Sequence, residues 1–562
     1  MRRGPIPLAF YLVPTAAFLA VLPLILHGCS CGHDFDFHLV SWMEAAAQFK
    51  AGNLHPSWAF SPAWNAGEPR FVFYPPISWT LGAMLGLVRW STAPIAYTWI
   101  ALAASGFAMY SLARTLKVSE HAALIASLVY LANPYMLFTA YERTAYAELL
   151  AAAWIPLLLA AILRDRITPL RIAIPVALLW LTNAPAAVMG CYSLAVLAAL
   201  RLLGQWIDGR SESRLKATIA LALRIFTGLA LGLGLAAFYI LPAAYERRWV
   251  QIAMATIEGM RIEDNFLFHH TADPLHDEVL HTASLIAVAI LAAAFVILAP
   301  LLVRPKGSNV SEQTRRYAIS LGILGILIGI LLTPASAIIW HIAPEMTFLQ
   351  FPWRLTAVLA AILCSSLSLL LRRINVRSLW LSVIAVIVLP CIIWPAARTF
   401  NQFCDDEDNV AARLAVFRTH MGTDPTDEYT PTNADNEALG QVDPPFWLTA
   451  DGNGAASPRG ERPGTSPMNF AVTSPQDTVV VLNLRAFPAW LIRINGIATT
   501  ARVDRADGLI AVPLKAGRSD ISISYAMTLD RKLGDGITLL ALCAAILIAV
   551  RGGRDSTSEP SL

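Results

Sequence analysis

The chain has 562 residues, 56% hydrophobic and only 14% charged, with a mean hydropathy of +0.55. Soluble domains carry nearer a quarter charged residues, so this balance excludes an ordinary soluble protein and points to a membrane. A net charge of +3 is too small to argue for a nucleic-acid partner, and the seven scattered cysteines contain no CxxC pair, which excludes a zinc-ribbon or thioredoxin-like framework.

A membrane span needs about 20 mostly apolar residues, and short cytoplasmic loops collect Lys and Arg. Together these rules predict a polytopic α-helical membrane protein of about 12 spans. Arg2 and Arg3 precede a first span at about 8–26, read as an uncleaved helix rather than a signal peptide. A long external loop, 27–92, follows. Further spans are expected at about 94–113, 121–139 and 145–163, then two across 170–203 that turn near Asn183. The remainder fall at about 219–241, 282–303, 317–333, 354–371, 378–395 and 535–550.

With this parity every basic cluster between spans lies on the cytoplasmic side, as do both termini. The clusters are Arg114/Lys117, Arg164/Arg166/Arg171, Arg201/Arg210/Arg214/Lys216, Arg304/Lys306/Arg315/Arg316 and Arg372/Arg373/Arg377, with Arg551 and Arg554 in the tail. Counting the stretch from Pro75 to Trp90 as a span reverses the parity, so it is expected to lie at the outer interface.

The expected domains are a transmembrane part (1–395), an external connector (396–467), a small antiparallel β domain (468–532) and a last span with its tail (533–562). The connector is polar and rich in Asp, Pro, Gly and Asn, which suits irregular chain. Thr478–Leu484 and Trp490–Ile494 read as strands, and Asn495-Gly496 is a strong hairpin signal. Leu509–Leu514 and Ile521–Tyr525 are expected to pair with each other, completing a sandwich-type domain.

Chemistry is expected on the external side. The first loop opens Gly32-His33-Asp34-Phe35-Asp36-Phe37-His38. If Asp34 starts a helix, Asp34 and His38 share a face while Asp36 points elsewhere. A carboxylate beside an imidazole can act as a general base or hold a divalent ion; the alternative is an Asp N-cap with solvated neighbours. Glu142 and Arg143 with Glu148, then Glu246 and Arg247, then Trp353 and Arg354, interrupt apolar sequence at the same level. Ionisable groups at membrane depth are costly and default to function, and an Arg fork there matches a lipid phosphate. The alternative is structural Glu–Arg pairing or headgroup anchoring. The group His269, His270, His276 and His281 has no standard metal-ligand spacing, and pairing among the external Cys29, Cys31 and Cys404 stays open.

These residues resemble the GT-C superfamily of membrane glycosyltransferases, which carry an acidic residue in the first external loop, a Tyr-Pro-Pro interfacial segment and often a C-terminal extracytoplasmic domain. More closely, the chain resembles bacterial YfhO-type proteins and the relatives labelled 6-pyruvoyl-tetrahydropterin-synthase-related membrane proteins. The matching pieces are Gly32-His33-Asp34 with His38, Phe73-Tyr74-Pro75-Pro76, Tyr141-Glu142-Arg143 with Glu148, Phe351-Pro352-Trp353-Arg354, and Glu428-Tyr429 with Pro431. The C-terminal matches are Phe487-Pro488-Ala489-Trp490, Asn495-Gly496, Asp507-Gly508, Pro513, Gly517 and Tyr525.

The resemblance implies transfer of a sugar from a polyprenyl-phosphate donor to an extracytoplasmic glycan, lipid or protein acceptor, at a bacterial inner membrane. Asp34, helped by Asp36 or His38, would be the base. Arg354, with Arg143 or Arg247, would bind the donor phosphate. His33, Tyr74, Glu142, Glu148 and Glu246 would support the site. A divalent metal, Mg or Mn, would sit on Asp34 and His38; no pterin is expected. Two other classes compete. A transporter or flippase of lipid-linked saccharides predicts charges in mid-span and internal repeats. A non-enzymatic scaffold does not require Asp34, Glu142 and Arg354 to converge on one cavity, whereas an enzyme does.

Overall fold

The computed structural model describes residues 7–208, 214–303, 311–373, 379–456 and 464–557. Arg2, Arg3, Arg210, Arg304, Lys306 and Arg377 of the expected basic clusters lie outside the described residues. Helix α1 (Ala9–His27) leads into a first loop that is largely helical: α2 (Phe35–Lys50), α3 (Arg70–Phe73) and α4 (Pro76–Val88). Then follow α5 (Ala93–Thr115), α6 (Glu120–Leu131), α7 (Pro134–Tyr141), α8 (Tyr146–Ala151), α9 (Trp154–Leu163), α10 (Pro169–Thr182) and α11 (Ala184–Asp208). Helices α12 (Arg214–Leu235), α13 (Ala237–Glu246), α14 (Pro274–Leu302), α15 (Glu312–Leu331), α16 (Ala337–Ile342), α17 (Thr356–Arg373) and α18 (Leu379–Phe400) complete the bundle. After α19 (Val410–Arg418) come seven strands, and α20 (Leu529–Thr557) ends the described chain.

Among the described residues, 10 helices are long and apolar enough to cross a membrane. They coincide with ten of the expected spans. The other two, at Pro169–Thr182 and Ala385–Phe400, are shorter apolar helices. Pro76–Val88 has 13 residues, about 20 Å of helix, which falls short of a 30 Å hydrocarbon core and fits the interfacial reading. One correction concerns the seventh span: α12 ends at Leu235, and α13 continues separately to Glu246.

The parity has a physical signature. Lys117 pairs with Asp165 at 2.6 Å, and Gln313 donates to the same carboxylate at 2.7 Å. Arg201 donates to the Arg164 carbonyl at 3.1 Å, Arg372 to that of Leu116 at 3.2 Å, and Arg316 pairs with Asp208. Turns far apart in sequence therefore meet at one end of the bundle, and their starts and returns are in register.

The β domain is a sandwich of two antiparallel sheets. Strands β1 (Phe446–Thr449), β3 (Thr478–Arg485) and β6 (Leu509–Leu514) form one, in the order β1-β3-β6. Strands β2 (Asn469–Ser474), β7 (Gly517–Tyr525), β4 (Trp490–Ile494) and β5 (Ile497–Thr499) form the other, in the order β2-β7-β4-β5. The β4–β5 hairpin turns at Asn495 and Gly496, both with positive φ (50° and 82°), as the primed turn requires. Two expectations are corrected. β6 and β7 do not pair; the chain crosses between sheets there, so β6 covers β3 while β7 fills the space between β2 and β4. The connector is not irregular throughout, since it supplies α19 and β1.

The domain does not stand apart from the membrane part. Its core of Val480, Leu482, Ile492, Ile510, Val512, Ile521 and Ile523 also takes in Trp58 of the first loop and Val250 after α13. Arg485 is fully buried on β3. Its guanidinium donates to Asn436 at 2.6 Å and Thr430 at 3.3 Å, and its backbone N–H donates to Ala66 at 2.9 Å. A disulfide joins Cys31 to Cys404, tying the start of the first loop to the connector, while Cys29 is a free thiol.

Cysteines introduced at Arg166 and Asn453, in a background without free thiols, are expected to react with a membrane-impermeant maleimide from opposite faces of the membrane. Labelling from the same face would overturn this arrangement.

Candidate functional site

A cavity of about 1060 Å³ opens at the end of the bundle away from the basic cluster. Its walls come from α2, the Phe73–Pro75 link, the turn between α7 and α8, the first turns of α14, the start of α17 and the connector at Glu428. Asp34, Glu142 and Arg354 all line it. The convergence expected of an enzyme is present.

Asn133 caps α7 by accepting from the backbone N–H groups of Tyr135 and Met136. The chain then turns sharply through Glu142–Ala145, with Thr144 at φ 46°. Gly32 packs directly on this turn; a Cβ there would lie 2.1 Å from the Glu142 carbonyl oxygen. Only glycine allows that approach, which sets the Asp34 N–H to donate to the Arg143 carbonyl at 2.9 Å. Asp34 occupies the N-cap position of α2, yet its carboxylate makes no capping bond. It turns instead toward Arg143, 3.8 Å away, with 42% of the side chain exposed. A carboxylate that could cap its helix and does not is free to meet a ligand.

Behind Asp34 lies a buried ionic cluster. Arg143 pairs with Glu148 at 2.7 Å, Arg354 approaches the same carboxylate at 3.4 Å, and the Tyr135 hydroxyl donates to its other oxygen at 2.5 Å. Two guanidiniums thus share the buried Glu148 carboxylate, and Asp34 at the cavity mouth is the second carboxylate that faces them. Arg143 stacks over Trp353 at 4.8 Å and Arg354 over Phe351 at 4.6 Å, which holds both forks in place. Burial opposes the charge on Arg143, but Glu148 and Asp34 more than restore it, so the guanidinium holds its proton more tightly than usual.

The other expected residues separate cleanly. His33, His38, Tyr74 and Glu142 line the cavity with Asp34. His38 is 2% exposed; both ring nitrogens lie 3.5 Å from the Tyr74 hydroxyl, a loose contact. Burial lowers the His38 pKa from 6.5 to about 4, ahead of an opposing pull from Asp34, so the ring is neutral at ordinary pH. Asp36 points away, as the helical spacing required, and pairs with Arg413 at 2.8 Å. Arg247 lies off the cavity, paired with Glu345 at 3.0 Å. Glu246 is buried against Arg531, 2.7 Å away, and holds α13 to α20. These three expected site residues lie off the cavity, each held by a salt-bridge partner distant in sequence.

Glu428 and Tyr135 join the site without a sequence-derived role. Glu428 comes from the connector and lines the cavity beside Tyr429, which stacks on Phe73 at 5.6 Å between ring centroids. Burial raises the Glu428 pKa, against an opposing backbone hydrogen bond. Its only sequence signal is the Glu428-Tyr429 match to the resembled proteins.

A metal on Asp34 and His38 does not fit the donor set. Among the described residues the one group of three ligating side chains within mutual reach is Cys29, Cys31 and Cys404, of which two form the disulfide. Among the described residues no third ligating side chain groups with Asp34 and His38, and a fixed cation, Arg143, already faces Asp34.

No family model and no curated protein matches the chain. Among solved structures it is similar to arabinofuranosyltransferase AftD from Mycobacteria, at 15% identity and TM-score 0.40, over 92% of this chain and 40% of that one. A mutant of that enzyme gives 14% identity and TM-score 0.42, over 92% and 42%. The apo oligosaccharyltransferase of Archaeoglobus fulgidus gives 14% identity and TM-score 0.40, over 70% and 55%. The chain thus spans about half or less of the length of these proteins. At that distance the likeness assigns no activity.

Two stability predictions come from this site. Glu148→Ala strands two buried guanidiniums and is expected to cost about 3–5 kcal/mol, whereas Asp36→Asn, at a half-exposed pair, should cost at most about 1 kcal/mol; thermal unfolding in detergent compares them. His38 is neutral in the fold, but the unfolded chain takes up a proton between pH 6.5 and 4. Stability therefore falls as pH drops through that window. His38→Asn should flatten this acid limb, and an unchanged limb would show that His38 is not its source.

Proposed function

We propose that this chain is a membrane glycosyltransferase that moves a sugar from a polyprenyl-phosphate donor to an acceptor hydroxyl outside the cytoplasm. The observation that carries the reading is Asp34: an uncapped carboxylate at the mouth of the cavity, 3.8 Å from Arg143, which shares Glu148 with Arg354. A proton acceptor and two fixed guanidiniums stand side by side. That is the division of labour this transfer needs.

In the proposed step the acceptor hydroxyl gives its proton to Asp34 as its oxygen bonds the anomeric carbon. The bond from that carbon to the donor phosphate oxygen breaks, and the electron pair leaves with the polyprenyl phosphate. The phosphate gains one negative charge as Asp34 loses its own by taking the proton, so that Arg143 and Arg354 then face the departing phosphate with Glu148 as their one remaining carboxylate. Because both guanidiniums are already buried and stacked on aromatic rings, little reorganisation accompanies the change. Glu142 and Glu428 are placed to accept hydroxyls of the sugar or acceptor. His38, neutral and held near Tyr74, orients the ring wall without carrying charge. The proposed setting is a bacterial inner membrane with both termini cytoplasmic, in a chain of the YfhO-type.

Asp34→Asn is expected to abolish transfer of radiolabelled sugar from polyprenyl-phosphate donors, while leaving expression and thermal stability close to wild type. Arg354→Lys should lower kcat by about 10- to 1000-fold, as loss of a fork on developing charge does, and Asp36→Asn should stay near wild type. Full activity in Asp34→Asn would remove it from the role of base.

A further inference from the structure

A second cavity, of about 510 Å³, lies against the first. The two share a wall made by the segment from Phe71 to Pro76. Phe71, Val72 and Pro76 line the smaller cavity, while Phe73, Tyr74 and Pro75 line the larger. Tyr239 of α13 also lines the smaller cavity and pins the wall by donating to the Phe73 carbonyl at 2.8 Å. None of the residues proposed for the transfer step lines this second space.

Its construction is specific. One side is an aromatic box from three separate parts of the chain: Trp58 of the first loop, Trp490 of β4 and Tyr525 of β7. Trp58 meets Trp490 edge-on at 5.3 Å, and Trp490 meets Tyr525 edge-on at 4.8 Å. Trp58 and Trp490 are 2% and 7% exposed, and Tyr525 is the half-buried ring of the three. The rim is polar, with Asn53, His55 and Asp535 beside Gln48. Asn53 donates to the Gln48 side-chain oxygen at 2.9 Å, and Gln48 donates to the Trp58 carbonyl at 2.7 Å, so the amides are held in one orientation.

Charge narrows the ligand. Arg531 is bound by both oxygens of Glu246, at 2.7 and 2.8 Å, by Ser57 at 2.8 Å and by the Tyr525 hydroxyl at 2.8 Å. Its charge is neutralised by a buried carboxylate, and Asp535 adds a negative group, so the cavity disfavours a phosphate or other anion. An acyl chain offers no hydrogen-bond partner to the amides, the imidazole and the carboxylate of the rim. A neutral sugar satisfies both surfaces: its C–H faces lie on aromatic rings and its hydroxyls exchange hydrogen bonds with oriented amides and a carboxylate.

We propose that this second cavity is a saccharide subsite that holds the non-reacting end of a neutral acceptor glycan. The substrate class follows: the acceptor is a glycan chain rather than a lone lipid or protein hydroxyl. The proposal rests on the transferase reading for the word acceptor, but the binding of sugar there does not.

The test uses the purified full-length protein and a panel of neutral di- to tetrasaccharides, read by saturation-transfer-difference NMR with no donor present. Sugar signals are expected from wild type and from Asp34→Asn alike, with affinity lowered about tenfold in Asn53→Ala/His55→Ala, two exposed rim positions whose change leaves the unfolding temperature unaltered. In transfer assays the same double variant should raise KM for long acceptors and leave kcat and short acceptors untouched. Transfer without any sugar binding, or binding lost in Asp34→Asn and kept in the rim variant, overturns the proposal. So does an acyl chain found in this cavity by native mass spectrometry with no response to sugars. Sugar binding without transfer from any donor would instead sink the transferase reading and leave the saccharide site standing.

Discussion

The cavity end of the bundle is organised around one buried ionic cluster, two arginines on a single glutamate. Glu148, Arg143 and Arg354 come from the start of α8, the turn before it and the entry to α17, and the cluster ties the last of these to the other two. Desolvating three charges is expensive, and the cluster offsets that cost only because each group has a designated partner. Tyr135 completes the carboxylate at 2.5 Å, and Trp353 and Phe351 cover the guanidinium faces. With Asp34 the cluster counts two cations and two carboxylates; in the proposed step, protonation of Asp34 is what frees positive charge for an anionic leaving group.

Asp34 reaches this cluster by way of a glycine. Gly32 permits the first loop to lie on the Glu142 carbonyl, and the disulfide from Cys31 to Cys404 anchors the same strand of chain from the other side. The carboxylate is therefore positioned by backbone contacts on both flanks rather than by its own hydrogen bonds. That leaves its oxygens available.

The soluble part is a structural participant and not an appendage. The connector around Glu428 is held from three directions. Thr426 N–H donates to Glu68 at 2.9 Å, Gln251 N–H donates to the Thr430 carbonyl at 2.8 Å, and Arg485 of the β domain reaches Thr430 and Asn436. The first loop, the segment after α13 and the β domain thus close around one stretch of chain, which contributes Glu428 and Tyr429 to the larger cavity, while the β domain contributes Trp490 and Tyr525 to the smaller one.

The sequence by itself determined the membrane class, the positions of ten long apolar helices, the β4–β5 hairpin and the convergence of Asp34, Glu142, Arg143, Glu148 and Arg354 on one end of the bundle, while two of the 12 expected spans proved to be shorter helices. These follow from local rules: span length, the side on which basic residues gather, turn chemistry and the cost of charge at membrane depth. It also foretold, from helical spacing, that Asp34 and Asp36 face different ways. Only the tertiary structure decided which charges are free and which are consumed. Arg247, Glu246 and Asp36 look as suitable as Arg143 and Asp34 in the sequence, but their partners Glu345, Arg531 and Arg413 lie up to hundreds of residues away. The crossing of β6 and β7 between sheets, the helix and strand inside the polar connector, and the placement of Glu428 were hidden for the same reason. Each depends on long-range packing that no local pattern encodes.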